Sequence, residues 1–341
     1  MLRLAAMLAA IALTAVCWGV YGPVLHFGRE AMHSPLRPFV CVGAAYFVIA
    51  VVIPLLLLAR GGERGAWTTA GIVWSLVAGA AGALGALGVI LALHFGGKPI
   101  YVMPLVFGGA PVVNTLLSAW MSGGFGQLKP PFLAGVLLVV TGAATVLVFK
   151  PQPAATPPAS TVAATVDAEP TAPGAIGHAA EKLVAVLLSV ALAMLSWGSY
   201  GPVLHRGQAA MLGSRLRPLV CIGVAYFLIA VLVPLGLLAP LADTGTWTMR
   251  GVLWSLGAGS LGALGALGTI LAFTCGGKPF TVMPVVFGCA PVINTLTTIA
   301  LAHTPPSAVS PFFLAGMLVV AAGAATVLAF GPRPHAPAKP A

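Results

Sequence analysis

The sequence predicts an all-α polytopic membrane protein with ten transmembrane helices, arranged as two inverted five-helix repeats. Three observations predict this fold class. Of the 341 residues, 59% are hydrophobic and only 6% are charged, whereas a soluble domain typically carries about 25% charged residues. Ten apolar segments approach the roughly 20 residues that a helix needs to cross a bilayer. Nearly all of this apolar sequence also occurs twice.

The ten apolar segments are interpreted as helices because every backbone polar group in lipid needs an internal partner. Their continuous hydrophobicity excludes the alternating pattern of an outer-membrane barrel. We place them at 4–26, 38–59, 69–95, 99–120, 131–149, 183–205, 218–239, 250–275, 280–302 and 311–330. The first segment superficially resembles a secretory signal. Because 183–205 repeats it inside the chain, we expect the first segment to be retained as a span.

The two copies are most similar in two stretches that contain polar residues among the apolar ones. WGVYGPVLH at 18–26 returns as WGSYGPVLH at 197–205. GGKPIYVMPLVFGGAPVVNTL at 96–116 returns as GGKPFTVMPVVFGCAPVINTL at 276–296. Such self-similarity indicates that the two halves share one fold.

Four segments follow from this duplication. The two five-helix repeats occupy 1–149 and 183–330. Between them, 150–182 is rich in Ala, Pro and Thr and cannot bury apolar surface, so we predict a disordered linker. Residues 331–341 form a short disordered tail. An odd number of spans in each repeat makes the second repeat enter the membrane from the opposite side, as in many secondary transporters.

Several stretches resemble a known family of carriers. CWGVYGPVLHFG is similar to the first helix of the EamA-like repeat in the drug/metabolite transporter superfamily. GALGALGVILALHFG resembles the third helix of that repeat, and APVVNTLLS resembles its fourth. The resemblance covers both repeats. It implies a ten-helix carrier that imports or exports a small metabolite by alternating access, without specifying which metabolite.

Positive charges at helix ends predict the orientation. With an inside N-terminus, ten of the 16 Lys and Arg residues fall on the cytoplasmic side. The other six are Arg29, Arg37, Lys98, Lys150, Lys182 and Arg250. We therefore expect a multi-pass protein of the bacterial inner membrane with both termini in the cytoplasm. The excess of Lys and Arg over Asp and Glu is explained by this orientation, so we expect no nucleic-acid partner.

The acidic residues are too few and too peripheral for several kinds of chemistry. None of the six Asp and Glu residues lies in the middle of a span, which weakens the case for a carboxylate proton relay. The five cysteines lack the paired spacing of a metal site, and no phosphate-binding Walker loop is present. We expect no enzyme activity, no catalytic residues, no cofactor and no metal.

The aromatic residues of the repeated motif are candidate substrate contacts near the membrane midplane. They are Trp18, Tyr21, Trp197 and Tyr200. Pro23 and Pro202 lack an N–H and are predicted to kink their helices, which frees a carbonyl beside the aromatic rings. The alternative is a packed kink in which Trp and Tyr fill the core.

His26 and His205 follow the kinks and are candidates for proton coupling, because histidine changes charge near neutral pH. Equally, each histidine could lie near the interface and bond a loop.

The fourth helix of each repeat carries a second group of candidates. The substrate-binding candidates are Lys98, Asn114, Ser118, Lys278, Asn294 and Thr298. The lysines could attract an anion beside a helix N-terminus, or simply anchor the helix at the interface. The asparagines could equally bond neighbouring helices. Further kinks are predicted at Pro104, Pro111, Pro284 and Pro291.

The third helix of each repeat is rich in small residues, with GALGALG at 82–88 and at 262–268. Small faces let helix backbones approach closely, so we predict a packing role there. Arg37 and Arg217, which open the second helices, are interpreted as interfacial anchors.

The leading hypothesis is a secondary active or facilitative transporter of a small polar or anionic metabolite. The alternative is a non-transporting scaffold or sensor that retains the carrier fold. The expected partners are a small-molecule substrate and the lipid bilayer, with a homodimer left open.

Overall fold

The computed structural model describes residues 2–61, 63–97, 99–123, 125–149, 175–240, 242–301 and 309–330. Within these ranges the chain is helical, and ten helices are long and apolar enough to cross a membrane. They are α1 (Leu2–Met32), α2 (Arg37–Ala59), α3 (Thr69–His94), α4 (Pro99–Ser122), α5 (Pro130–Val148), α6 (Ala175–Ala210), α7 (Leu216–Leu237), α8 (Met249–Thr274), α9 (Pro279–Leu301) and α10 (Pro311–Phe330). The protein is therefore a multi-pass helical protein of lipid bilayers.

The first helix of each repeat is longer than predicted. Helix α1 continues to Met32 instead of ending at 26. Helix α6 begins at Ala175, within the range 150–182 that we predicted as a linker. Its first turns contain Ala, Glu and Lys, which favour helix, and the sequence prediction stopped where hydropathy fell. Residues 150–174 and 331–341 lie outside the described ranges.

Helices α2 and α7 each contain a π-helical segment that the sequence analysis missed. The segments are Phe47–Val52 and Leu228–Leu232, and each ends just before a proline, at Pro54 or Pro234. Proline has no N–H to donate, so a wider turn before it accommodates the interrupted bonding. The ring of Phe47, in the first segment, lies at a centroid distance of 4.8 Å from the ring of Phe227, which directly precedes the second segment.

The two repeats are joined by grooves that small residues create on α3 and α8. The glycines that line them are Gly79, Gly82, Gly85, Gly88, Gly259, Gly262, Gly265 and Gly268. A Cβ on Gly85 would collide with the Trp197 indole, and one on Gly265 with the Trp18 indole. The predicted packing role of the small residues is thus confirmed. Because helix backbones approach closely there, α6 lies in the groove of α3 and α1 in that of α8.

The contacts between the halves are reciprocal. Helix α1 packs on α8 and α9, while α6 packs on the equivalent α3 and α4. Helix α1 runs antiparallel to α8, because Thr14 bonds the Gly265 carbonyl at 3.2 Å and Thr248 bonds the Ala31 carbonyl at 2.9 Å. Helices α2 and α7 pack against each other, as do α5 and α10. Neither half is therefore a separate packing unit.

Two clusters of polar residues connect the two halves through ion pairs and hydrogen bonds. In one, Arg37 Nη1 lies 2.9 Å from Asp243 Oδ1 and Ser34 donates to the same carboxylate at 2.5 Å. In the other, Arg217 Nη1 lies 3.4 Å from Glu63 Oε2 and Ser214 donates to Glu63 at 2.7 Å. Each arginine also lies over a tryptophan ring, 5.9 Å from its centroid. Arg37 and Arg217 thus pair with acidic residues of the opposite half, beyond the anchoring role predicted from the sequence.

Gly265→Ala should destabilise the protein by about 1–3 kcal/mol, because the added methyl group displaces the Trp18 indole from the groove. Thermal unfolding in detergent measures the effect. Gly257→Ala is the matched control on the same helix, since its Cβ would meet only Val24 at 3.8 Å. Equal unfolding temperatures for the two variants would contradict the packing described for the groove.

Asp243→Asn should lower stability by about 3–5 kcal/mol, because it leaves the Arg37 charge without its partner in a buried cluster. The side chains of Arg37 and Asp243 are only 14% and 3% exposed. Glu30→Gln is the control, because its pair with His26 is more than half exposed and should matter by less than about 1 kcal/mol. A loss no larger for Asp243→Asn than for Glu30→Gln in the same unfolding assay would overturn this assignment.

Candidate functional site

A central cavity is enclosed by helices of both repeats. Its volume is about 640 Å³, which is within the range typical of small-molecule sites. The lining includes the C-terminal parts of α1, α3 and α9 and the N-terminal part of α4. At this end the side chains of His26 and Glu30 are more than 60% exposed. The cavity therefore reaches the surface at the end of the bundle where α1 and α9 end, which we call the mouth.

Aromatic rings from the two repeats form the inner wall of the cavity. Trp18 and Tyr200 meet edge to face at 5.7 Å, although they belong to different repeats. Tyr46 and Tyr226 are stacked at 3.8 Å with an interplanar angle of 2°. All four line the cavity together with Trp197. The sequence analysis singled out Trp18, Trp197 and Tyr200 but not the stacked pair.

The tryptophan N–H groups are already engaged in helix packing. Trp18 Nε1 donates to the Gly262 carbonyl at 3.2 Å, and Trp197 Nε1 donates to the Gly82 carbonyl at 3.1 Å. The sequence analysis expected a polar edge on each ring for a substrate. Since the glycine-lined groove takes that edge, the tryptophans present only their apolar faces to the cavity.

Polar groups from α1 and α9 line the mouth side of the cavity. They are Tyr21, Asn294, Thr295 and Thr298. The Thr298 hydroxyl donates to the Asn294 backbone carbonyl at 2.8 Å. The Asn294 amide packs against Gly22, where a side chain would collide with it. Among the described residues no hydrogen bond engages this amide, so it is free to contact a ligand.

Three ionisable groups lie on α1 at the mouth. His26 Nε2 and Glu30 Oε1 are 3.1 Å apart and form an exposed pair one helical turn apart. Arg29 is half-buried and lines the same cavity. Its guanidinium has no ion-pair or hydrogen-bond partner in the described parts of the chain. Among the described residues, Arg29 thus places an unpaired positive charge at the mouth.

The opposite end of the bundle is closed by bonds between helices. Asn114 Nδ2 donates to the Pro279 carbonyl at 2.9 Å, which ties α4 to the start of α9. Gln208 Nε2 donates to the Ile270 carbonyl at 3.2 Å and to Thr274 at 2.9 Å, which ties α6 to α8. The predicted substrate contacts Asn114 and Ser118 are buried at this end and do not line the cavity.

Several polar atoms on α4 and α6 are buried without a partner among the described residues. They are Asn114 Oδ1, Thr115 Oγ1, Ser118 Oγ and the Tyr200 hydroxyl. Buried polar groups are normally hydrogen-bonded, and each exception needs an explanation. By the sequence repeat, their counterparts are the four polar residues at the mouth: Asn294, Thr295, Thr298 and Tyr21. Asn114, Thr115 and Ser118 are thus buried at the closed end while their counterparts line the cavity, and Tyr200 lies in the inner wall of that same cavity.

The remaining candidates that the structure describes lie at the closed end. His205 is half-buried at the closed end, and its ring meets Phe273 edge to face at 5.2 Å. Lys278 precedes α9 there, and its carbonyl accepts the Thr281 and Val282 N–H groups. Lys98 lies outside the described residues. The structure brings neither His205 nor Lys278 into the cavity wall.

The prolines lie within helices that continue on both sides of them. Pro23 is buried in α1 and Pro202 in α6. Pro284 and Pro291 lie in α9, and Pro104 and Pro111 in α4. Pro23 and Pro291 line the cavity. The bends expected at these positions stay predictions.

Arg29 is the functional candidate that sequence reasoning missed. It was assigned to the membrane surface because the predicted span ended at 26. The helical spacing of Trp18, Gly22, Leu25 and Arg29 places them on one face of α1, and all four line the cavity. That spacing is the signal that could have identified the residue. No group of three His, Cys, Asp or Glu side chains suited to a metal occurs within the described ranges.

Comparison with known proteins identifies the fold alone. No protein-family model matches the sequence, and no curated protein does either. A solved structure described only as "Crystal structure of protein" is similar, with a TM-score of 0.63 and 20% sequence identity. The similarity covers 94% of this chain and 96% of that chain. The ten-helix architecture therefore occurs over nearly the full length of another chain.

Proposed function

We propose that the protein is a secondary carrier of the drug/metabolite transporter type, which moves a small polar or anionic metabolite by alternating access. One observation carries this proposal. Asn294, Thr295 and Thr298 on α9 line an open cavity, while their counterparts Asn114, Thr115 and Ser118 on α4 are buried at the other end, each with an oxygen atom that has no partner among the described residues. A carrier has both arrangements, because it opens the same site to each side of the membrane in turn.

An alternating-access cycle explains why some buried polar atoms of α4 lack hydrogen-bond partners. Leaving buried donors or acceptors unpaired costs free energy, so a protein with a single resting state gains nothing from them. In the opposite state Ser118 and Thr115 would line the cavity and contact water or substrate, while Thr298 and Thr295 would be buried. The cost of the unpaired groups is then common to both states, which keeps the two states close in energy.

The helix directions support an inverted relation between the repeats. Helix α9 runs parallel to α1, since Gly19 and Gly22 meet Ala290 and Asn294 in the same order. Helix α4 runs parallel to α6, with Gly198 and Gly201 against Ala110 and Asn114. Helices α4 and α9 are antiparallel, because Phe107 meets Phe287 while Asn114 meets Pro279. With the N-terminus in the cytoplasm, as the positive charges favour, the mouth faces outward.

Transport by purified protein in liposomes tests the proposal. A panel of sugars, amino acids, organic anions and organic cations at two pH values should contain at least one compound that the protein moves. A protein that neither moves nor binds any member of the panel would instead favour the scaffold or sensor.

Tyr21→Ala and Asn294→Ala should each reduce transport at least about 10-fold, because each removes a polar contact from the cavity wall. Uptake into proteoliposomes at equal protein density measures this. Val16→Ala on α1 and Leu296→Ala on α9 are matched controls, since both side chains are exposed on the outer surface of their helices. Undiminished uptake by both cavity variants would rule out these residues as substrate contacts.

A further inference from the structure

The two repeats differ in charge at a position that lines the cavity in the first repeat. Counting from the repeated motif, Arg29 on α1 corresponds to Gln208 on α6. Arg29 is half-buried at the open mouth, whereas Gln208 is only 4% exposed at the closed end. A neutral amide thus occupies the place at one end that a permanent cation occupies at the other.

The contacts of Gln208 at the closed end indicate which contacts Arg29 would make if the mouth closed. Gln208 closes its end by donating to the Ile270 carbonyl and the Thr274 hydroxyl of α8. The equivalent positions on α3 are Ile90 and His94, and Ile90 already lines the cavity. If the mouth closes in the same way, the Arg29 guanidinium moves against α3 and leaves water.

A guanidinium cannot be buried there without a counter-charge. Arginine keeps its proton under physiological conditions, and burying an unpaired charge is strongly unfavourable. Among the described residues, the carboxylate in the cavity lining is Glu30, which pairs with His26 in the exposed part of the mouth. Asp243 lines a neighbouring cavity with Ile90 and His94, but it is already paired with Arg37. The counter-charge therefore has to come from a ligand.

Resting on the proposed carrier function, we propose that Arg29 is the receptor for an anionic substrate and that the bound anion permits the mouth to close. The other residues of the cavity wall indicate the chemistry of the part of the substrate that lies outside the anionic group. The rings of Trp18, Trp197, Phe107 and Phe287 present apolar surface, so the ligand is a small organic anion with an apolar part. The carboxylate or sulfonate forms charge-assisted bonds to the guanidinium, while the apolar part lies against the rings.

This arrangement also predicts how the carrier cycles. The mouth closes readily when Arg29 is neutralised by substrate and poorly when it is not. The empty carrier then returns slowly, and exchange of one anion for another is faster than net uptake. Arg29→Gln would remove both the selectivity and this restriction.

Binding measurements provide the first test. Isothermal titration of the full chain in detergent uses benzenesulfonate, phenylacetate and hexanoate against their neutral amides. We expect the wild type to bind at least one anion more tightly than its amide. Arg29→Gln should weaken that binding about 10- to 100-fold, the factor that a hydrogen bond to a charged group is worth. Arg29→Lys should retain part of it, and Arg250→Gln, an exposed position on α8, should retain all of it.

Flux provides the second test, with labelled benzenesulfonate because its fixed charge prevents leakage as a neutral acid. For the wild type, exchange against internal benzenesulfonate should exceed net uptake at least about 10-fold, whereas Arg29→Gln should bring the two rates together. Thermal unfolding shows whether the variant is folded, and Arg29→Lys provides a charged second variant.

The outcomes separate the two proposals. Preference of the wild type for amides, unchanged anion affinity in Arg29→Gln, or equal exchange and net rates in the wild type would each overturn the inference. If the protein transports neutral or cationic compounds and Arg29→Gln leaves that transport unchanged, the carrier function is supported and the role of Arg29 as an anion receptor is overturned. Failure to bind or move any compound would overturn both.

Discussion

The close approach of α1 to α8 and of α6 to α3 is the constraint on which the rest of the structure depends. Glycine at every third position removes the side chains that would hold the helices apart, and each groove receives the first helix of the other repeat. In lipid, helix association rests on close packing and interhelical bonds. The same grooves expose the carbonyls of Gly82 and Gly262, which fix the Trp197 and Trp18 rings. The same glycine-lined grooves therefore hold the helices together and position the tryptophan rings of the cavity wall.

The asymmetry of the cavity follows from how each half uses the same residues. Asn114 bonds the start of α9 and closes one end, while Asn294 lies beside Gly22 in the open cavity. Stacked Tyr46 and Tyr226 lie where the two repeats meet. The ion pairs Arg37–Asp243 and Arg217–Glu63 join the halves outside this region, so the ends can change without separating the repeats.

The sequence predicted the ten spans, the duplication and the packing role of the small residues, because hydropathy, repetition and composition are local signals. It did not predict the inward direction of Arg29, since a charge near a helix end usually lies at the interface. The stacked tyrosines were also missed, because they depend on contacts between the halves. For Asn114 the sequence left two roles open, and the structure shows the bond to a neighbouring helix. The π-helical segment before Pro54 depends on local bonding that hydropathy does not report.

Distances across the two ends, measured by double electron–electron resonance, test the alternating cavity most directly. One label pair at Phe95→Cys and Leu301→Cys spans the mouth. Its counterpart at Cys275 and Met121→Cys spans the closed end, in a chain that lacks the other native cysteines. We predict two distances for each pair, with substrate shortening the mouth distance and lengthening the other. Single distances that no transported compound changes would contradict the account.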